Sequence, residues 1–550
     1  MKRLPLLIFL LISHLYILAQ ENNGSISGNF ENNLQTYTDD ESIGATAADE
    51  ILLNNAYLNI LYKKGKFSSG FRYESYLNAL MDYDSEYQGN GIPYRFASYI
   101  SEGLDITVGN YYEQFGSGIV FRTYEDKGLG IDNAMDGVRL KYSPINGLYL
   151  KSFIGKSRTY FEYSEGIMRG ADIELNLNES LNINGDAYYI LGANIVSRFQ
   201  QDNNPKFTLP ENVAAMSARL NIIKGNINYY GEYAYKINDP IGSFSLESNN
   251  YAPGRAIVNN FSYSEKAFGI TIESHWVDHM EFRSERAKEK EFIINYIPTL
   301  SKQHTYTLLA LYPSSTQAEG EFGVQSDIFY RFKKGSLLGG KYGTKINLNF
   351  SKINGIQNGT SFINDSTNIT SPILRFDKDL LYFSDFNLEI NKKINKQIKI
   401  NLIVAKQKYN KDILEGKTIG EYGIISSTIA VADVSYKLKK GHTLRLELQG
   451  LLSKQEEEAT QYAEGDWSMM LLEYTISPNW FFAFQDMYNW GNHYEDQRLH
   501  YMNASIGYIK GTNRFEIGYG KKRAGIFCVG GICKEVPASN GFNLNISSSF

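Results

Sequence analysis

The sequence predicts an all-β fold, a large antiparallel transmembrane β-barrel of about 26 strands (range about 24–28) with short periplasmic turns and long extracellular loops. Three observations predict it. Period-two alternation of apolar and polar residues runs through most of the chain, tight turns alternate with longer polar loops, and the alternation continues to the final residue, Phe550. Composition agrees. The 550 residues include 41 Tyr, 31 Phe and 48 Gly but only 12 Pro and 10 Met, and the mean hydropathy is −0.34. A helical membrane protein would be far more apolar.

The N-terminus comes first. Lys2 and Arg3 precede the apolar run LPLLIFLLISHLYILA, with Gln20 and polar ENNGS beyond it. A basic segment, an apolar segment and small Ala19 make Met1–Ala19 a cleavable signal peptide. No cysteine at the cut offers a lipid anchor. After residue 20 no apolar stretch approaches the ~20 residues that a membrane helix needs. Residues 20–550 are expected to form a single outer-membrane barrel domain without a separate plug, because alternation begins by Ile26 in SISGNFEN. Losing Lys2 and Arg3 leaves 53 basic residues (55 − 2) against 60 acidic ones. Nothing in that balance points to nucleic acid.

One hairpin shows the rule for the strands. In TIAVADVSYKL, Ala430, Ala432, Val434, Tyr436 and Leu438 share a face opposite Asp433, Ser435 and Lys437. KKGH then turns the chain, and TLRLELQGLL sets Leu444, Leu446 and Leu448 opposite Arg445, Glu447 and Gln449. Similar tight turns read KKGK, SEG, SPING, NES, KGN, KKGS, SPN and KGTN along the chain. Longer stretches such as TYEDKGLGIDNAMDG, QQDNNPKFTLPEN and GIQNGTSFINDSTNITSP separate the hairpins. An even strand count with turns at one end and loops at the other is the plan of an outer-membrane barrel. A propeller needs four short strands per blade, whereas many strands here hold alternation for ~10 residues, the length that spans a bilayer. A sandwich does not take this many strands into one domain.

The chain ends GFNLNISSSF. Phe542, Leu544, Ile546 and Phe550 share a face. In a closed barrel the last strand pairs with the first, so its end cannot fray. The same four residues resemble the terminal signal that the outer-membrane barrel-assembly machinery recognises.

Just before that strand, RAGIFCVGGICKEVPASNGF (Arg523–Phe542) resembles a segment of an uncharacterised family of Bacteroidetes outer-membrane barrels, in which a cysteine pair around two glycines precedes a basic residue and V-P-A. The signal peptide ending in AQ is similar to those of exported proteins of that phylum. The resemblance implies fold and location, and no activity.

Cys528 and Cys533 are the only cysteines. In an exported protein so close a pair reads as a disulfide, with Gly530 and Gly531 taking the tight turn on the long-loop, outer side. A metal site is the alternative, but it needs about four ligands, and the segment holds no histidine. HWVDH places His275 and His279 on one face of a strand roughly 13 Å apart, too far for one ion. They read as lumen or loop residues, and Trp276 as an interfacial aromatic. GLGIDNAMDG lacks the strand-to-helix setting of a phosphate loop. The acidic clusters YTDDES and MDYDSEYQGNG read as solvated loops, with calcium binding as the alternative.

The polar faces of the strands carry the chemistry. Strand register places Arg72, Glu74, Asp105, Arg139, Lys141, Asp172, Glu174, Arg219, Glu232, Lys236, Lys345, Glu389, Lys399, Arg445, Glu447, Arg514 and Glu516 toward the lumen. The signs are nearly balanced, unlike the single-sign ring of a selective pore. Either the charges line a pore or they pair to hold the wall.

The function expected is a pore or channel for solutes across the cell outer membrane, since so many strands enclose a wide lumen. The alternative is a scaffold component of a secretion, assembly or surface-attachment complex with a protein partner in the envelope. Catalysis is not expected, because no nucleophile, base and orienting group converge. No cofactor or metal is expected either. The partners expected are outer-membrane lipid and the assembly machinery.

Overall fold

The structure is a computed structural model that describes residues 24–203, 209–240, 251–286, 292–356 and 374–550. The signal segment Met1–Ala19 lies outside the described residues, as do parts of the QQDNNPKFTLPEN and GIQNGTSFINDSTNITSP loops. Twenty-four antiparallel strands form one closed sheet, each bonded to the next in sequence. The count falls at the low end of the expected range.

Closure is made by the termini. Ser539–Ser549 pairs with Ser25–Gln35 from Asn29 opposite Ser549 to Gln35 opposite Asn543. Beyond the last paired residue, the Gly28 N–H donates to the Phe550 carbonyl and the Phe550 N–H to the Gly28 carbonyl, both at 2.9 Å. A Cβ at Gly28 would sit 2.7 Å from the Phe550 ring. Only glycine leaves room for the terminal aromatic to lie across the first strand.

The sheet is inside-out relative to a soluble protein. Ile154, Ile173, Ile195, Val404, Leu448 and Leu452 are exposed, whereas Asp172, Arg219, Glu232 and Glu447 are buried. Alternation forces this, because successive side chains leave opposite faces of a strand. The exposed apolar face has the chemistry of a lipid contact.

Connections differ between the two ends. On the end that holds both termini, Gly65, Gly103, Gly147 and Gly225 take positive φ in tight turns. Two turn expectations need correction. NES lies in a longer connection that opens with the helix Leu177–Ser180, capped by the Asn176 side chain. KKGS begins the connection 333–343 rather than a tight turn. On the opposite, long-loop end, Leu148–Thr159 and Glu162–Asn176 are joined by Tyr160 and Phe161 alone.

The largest correction concerns the lumen. A wide lumen without a separate plug was the sequence expectation; segment 112–134 and the described parts of the next such connection, 279–286 and 292–319, fold inward from the loop end and occupy part of that lumen. The first contacts Glu31 of the first strand through Lys127 and Glu232 of Ile227–Pro240 through Ser117. Nine strands lie between those contacts around the wall, so the segment crosses the interior. The two segments interlock through backbone bonds, Arg122 N–H to Ile294 carbonyl at 2.8 Å and Tyr296 N–H to Gly118 carbonyl at 2.9 Å.

Two apolar cores form where these segments meet the wall. In one, Phe115, Ile119, Val120, Phe121, Met280, Phe282 and Ile294, all fully buried, pack on Val213, Ala215, Ala234 and Ala256. In the other, Leu300, Leu308 and Leu309 pack on Ile403, Ala405, Ile429 and Leu451. The wall permits this because its inner face changes character along each strand. Within Asn212–Lys224 the residues facing Phe282's side of the wall run Val213, Ala215, Ser217, Arg219, apolar at the loop end and polar toward the turns.

Candidate functional site: the filled lumen

The first inward segment is fastened by buried ion pairs. Arg72 and Arg158 reach from two wall strands to Glu74, another wall residue, and both pair with Asp132 of the segment. Glu74 accepts from Arg72 Nε at 2.6 Å and from the two Arg158 terminal nitrogens at 2.9 and 2.6 Å. Arg72 also meets Glu125 of the segment at 2.8 Å. Each buried charge therefore has an opposite neighbour, which is what makes its burial tolerable.

Farther round the wall, Glu113 of the segment meets Lys141 at 2.8 Å and Lys151 at 3.2 Å. Arg139 pairs with Asp105 at 3.0 Å. Arg219 pairs with Asp172 at 2.6 Å and Glu174 at 3.0 Å. Glu232 accepts the Ser117 N–H at 2.9 Å. Lys236 is fully buried and donates to the Glu281 carbonyl.

The second segment is held by polar contacts around its apolar core. Lys302 meets Glu389 at 3.5 Å, His304 meets Asp385 at 2.7 Å, and the Tyr306 hydroxyl donates to Asp433 at 3.0 Å. The Leu308 N–H donates to Gln449 at 2.9 Å. Arg445 joins Asp433 at 3.1 Å and also Glu447 and Glu473.

Cys528 and Cys533 form a disulfide across the hairpin made by Gly525–Val529 and Ile532–Val536. Gly530 and Gly531 make its tip with φ of 59° and 86°. The tip rests on the second segment, where the Thr316 N–H donates to the Gly531 carbonyl at 3.0 Å. Lys534 meets Asp82 of a neighbouring loop at 3.1 Å. Beside it, Lys411 meets Glu464 at 3.2 Å and Glu415 at 3.5 Å, joining two more loops. Burial opposes the Glu464 charge, but Lys411 outweighs it and holds the carboxyl below its ordinary value. Burial likewise opposes the Lys411 charge, and Glu464 prevails to hold that ammonium above its ordinary value.

Among the described residues, one cavity of about 630 Å³ lies at the seam between the first and last strands. Asn33, Asn55, Asn545 and Ser547 line it with uncharged polar groups, Glu31, Lys127, Arg514 and Glu516 with charges, and Tyr57 and Tyr83 with rings. Arg514 and Glu516 pair at 2.7 Å. Of the C-terminal residues, Ile546 borders this cavity, Phe542 is exposed beside Tyr519 with ring centres 4.6 Å apart, Leu544 pairs with Leu34, and Phe550 completes the closure.

Residues 1–550 match the profile of a family of unknown function (DUF6029). The chain belongs to that family. No curated protein matches it. Among solved structures, the P pilus usher (PapC) translocation pore is similar at 9% identity over 96% of this chain and 99% of that one, with a TM-score of 0.42. The siderophore receptor PirA from Pseudomonas aeruginosa is similar at 8% identity over 96% and 81%, TM-score 0.41. The outer membrane protein opdK from the same organism is similar at 11% identity over 78% and 99%, TM-score 0.33. The likeness concerns the fold alone.

In this family member the histidines of HWVDH have separate partners. His275 meets Glu321 at 2.6 Å and His279 meets Asp278 at 2.6 Å. Trp276 corrects an expectation. It has the outward register of an interfacial aromatic, yet it is only 1% exposed, because a loop covers it and its indole N–H donates to the Arg375 carbonyl at 3.1 Å. Sequence reading also missed Glu113, Asp132 and Tyr306, which fasten the segments. The signal available was the change of inner face from apolar to polar within single strands.

Proposed function

We propose that this chain is an outer-membrane barrel, exported by Met1–Ala19, that passes small polar solutes along the seam cavity while its own loops keep the rest of the lumen shut. The seam cavity carries the reading. It runs from Arg514 and Glu516 near the turn end to Asp82, Tyr83 and Lys127 of the loops, and its wall is amide-rich. Amides and paired charges hydrate a passing solute without holding one sign of ion, which suits neutral or weakly charged molecules.

Wholesale withdrawal of the inward segments is not a workable gate. Seven of their apolar side chains are fully buried in the first core alone. Exposing them would cost on the order of 10–20 kcal/mol at ~1.5–3 kcal/mol each. Passage on this reading runs along the seam with the inward segments in place. Insertion rests on the assembly machinery reading Phe542, Leu544, Ile546 and Phe550. No catalytic role is part of this reading.

The same two cores favour a second reading, a closed scaffold whose loops dock a protein partner in the envelope. Liposome swelling with sugars of rising size separates the two. Uptake of the smallest solutes with a sharp cut-off supports the seam channel. Absence of both swelling and bilayer current, with a partner co-purifying from membranes, supports the scaffold.

A further inference from the structure

The turn end carries a feature that neither the channel nor the scaffold reading uses. In the connection 333–343, Leu337 is 97% exposed and Leu338 58% exposed. The connection is nonetheless ordered. The Gly335 N–H donates to the Gly340 carbonyl at 2.7 Å, the Gly340 N–H to the Ser336 carbonyl at 2.8 Å, and the Thr344 hydroxyl to the Leu338 carbonyl at 2.7 Å. Gly335 and Gly340 have φ of 82° and 59°, which lets the chain double back and hold the leucines out.

The neighbouring turn, 394–397, stands beside it because Thr344 pairs with Lys392. Lys392 Nζ donates to the Leu338 carbonyl at 3.4 Å, and the Lys393 ammonium lies 5.2 Å from the Tyr342 ring centre. Lys333, Lys334 and Lys341 share the leucines' connection, Lys396 lies in the neighbouring turn, and Lys392 and Lys393 end the strand that leads into it. The stretches KKGSLLGGKYGTK and KKINKQIK contain no acidic residue.

We propose that this surface binds anionic phospholipid, with the lysines on the phosphates of the leaflet next to the turn end and Leu337 and Leu338 in the acyl layer beneath. Lysines around an apolar tip, with an aromatic ring between them, suit the boundary between headgroups and acyl chains. The position suits it too. Tyr330, 43% exposed, and Phe332 immediately precede the connection at the edge of the apolar outer face. An acidic protein in the aqueous phase would match the lysines, but it would leave the adjoining lipid to compete for the leucines.

The proposal rests on the membrane-barrel reading, and the test keeps the two apart. Leu337→Cys provides the single reactive thiol, since Cys528 and Cys533 are bridged. The full chain, labelled there with an environment-sensitive fluorophore, is placed in nanodiscs of zwitterionic lipid with or without an anionic one. The expected result is blue-shifted emission, quenched by brominated lipid several-fold more when the anionic species carries the bromine. Lys→Gln at the six positions should abolish that preference while leaving the heat-dependent gel shift of a folded barrel. Emission that is water-like, quenched by iodide and indifferent to lipid would overturn the proposal and assign the surface to an aqueous partner. Loss of the gel shift in the unsubstituted chain would bring down the barrel reading, and this inference with it.

Discussion

Arg158 grips Glu74 with two parallel hydrogen bonds, at 2.9 and 2.6 Å, and each side chain is only 1% exposed. The residues lie on strands four positions apart around the wall and share Asp132 of the inward segment. Removing Arg158 leaves Glu74 and Asp132 to share Arg72 alone, an excess of buried negative charge, so Arg158→Ala should destabilise by about 3 kcal/mol. The temperature at which the compact gel band converts to the slow one measures this. Glu74→Gln in the Arg158→Ala background should restore part of the loss, and strict additivity would show that the pair is not coupled.

The stacked pair Phe121 and Phe153, with ring centres 4.4 Å apart, joins the first inward segment to the wall. Phe121→Ala should cost about 3–5 kcal/mol as a core cavity. Local amide exchange in segment 112–134 should rise more than exchange in the distant strands. Uniform acceleration would mean that the segment and the barrel unfold as one unit.

The disulfide spans a sequence separation of 5, and so short a loop contributes about 2 kcal/mol at most by chain entropy. Cys528→Ser should leave the barrel folded and loosen only the hairpin tip at Thr316. On intact cells a thiol reagent should label the natural chain only after reduction. Labelling without a reductant would show the bridge unformed.

Glu516 borders the seam cavity, whereas Glu447 is 4% exposed and bonded to Arg445. Their reversals should therefore part company. Glu516→Lys should move the reversal potential across a salt gradient toward anion selectivity, because wall charges act on ions confined beside them. Glu447→Lys should lower thermal stability and leave the reversal potential of any surviving current alone. A selectivity change from Glu447→Lys would place solvent where the structure packs Arg445.

The outer loops should respond to pH through Lys411 and Glu464. A carboxyl held below its ordinary value contributes stability above that value and loses it as pH falls through the folded one. An ammonium held above its ordinary value contributes below that value and loses it as pH rises through the folded one. Loops 411–423 and 456–466 should thus resist proteolysis between about pH 5 and 10 and open first outside that window. Lys411→Met should remove both edges of the plateau.

Much of the wall was legible because alternation is a local property. The pairing of Ala432 with Leu448 and of Asp433 with Glu447 follows from the hairpin that KKGH closes. What fills the lumen was not legible, because it depends on encounters between distant segments. Asn295, which donates to the Ile119 carbonyl at 3.1 Å, gives no sign in the sequence of a partner so far along the chain. Leu308 and Leu309 pack on Ile403 and Leu451, about a hundred residues or more farther along the chain, a meeting that no local pattern marks. One clue was present and local. Ile403 and Ala405 follow Lys399 and Asn401 on the same face of one strand, and apolar side chains turned toward a lumen need something dry to meet.

The bonds between Gly28 and Phe550 also mark the most distant contact in the sheet. Nearly the whole chain separates the two edges of the seam, so that contact is the costliest loop to close. Contacts of the inward segments, such as Lys127 with Glu31, close much shorter stretches of chain. Chain entropy therefore favours filling the lumen ahead of sealing the wall around it. Until then the chain carries two bare strand edges that invite pairing with other copies. A variant that cannot make the Gly28–Phe550 contact should therefore self-associate more readily than the sealed barrel.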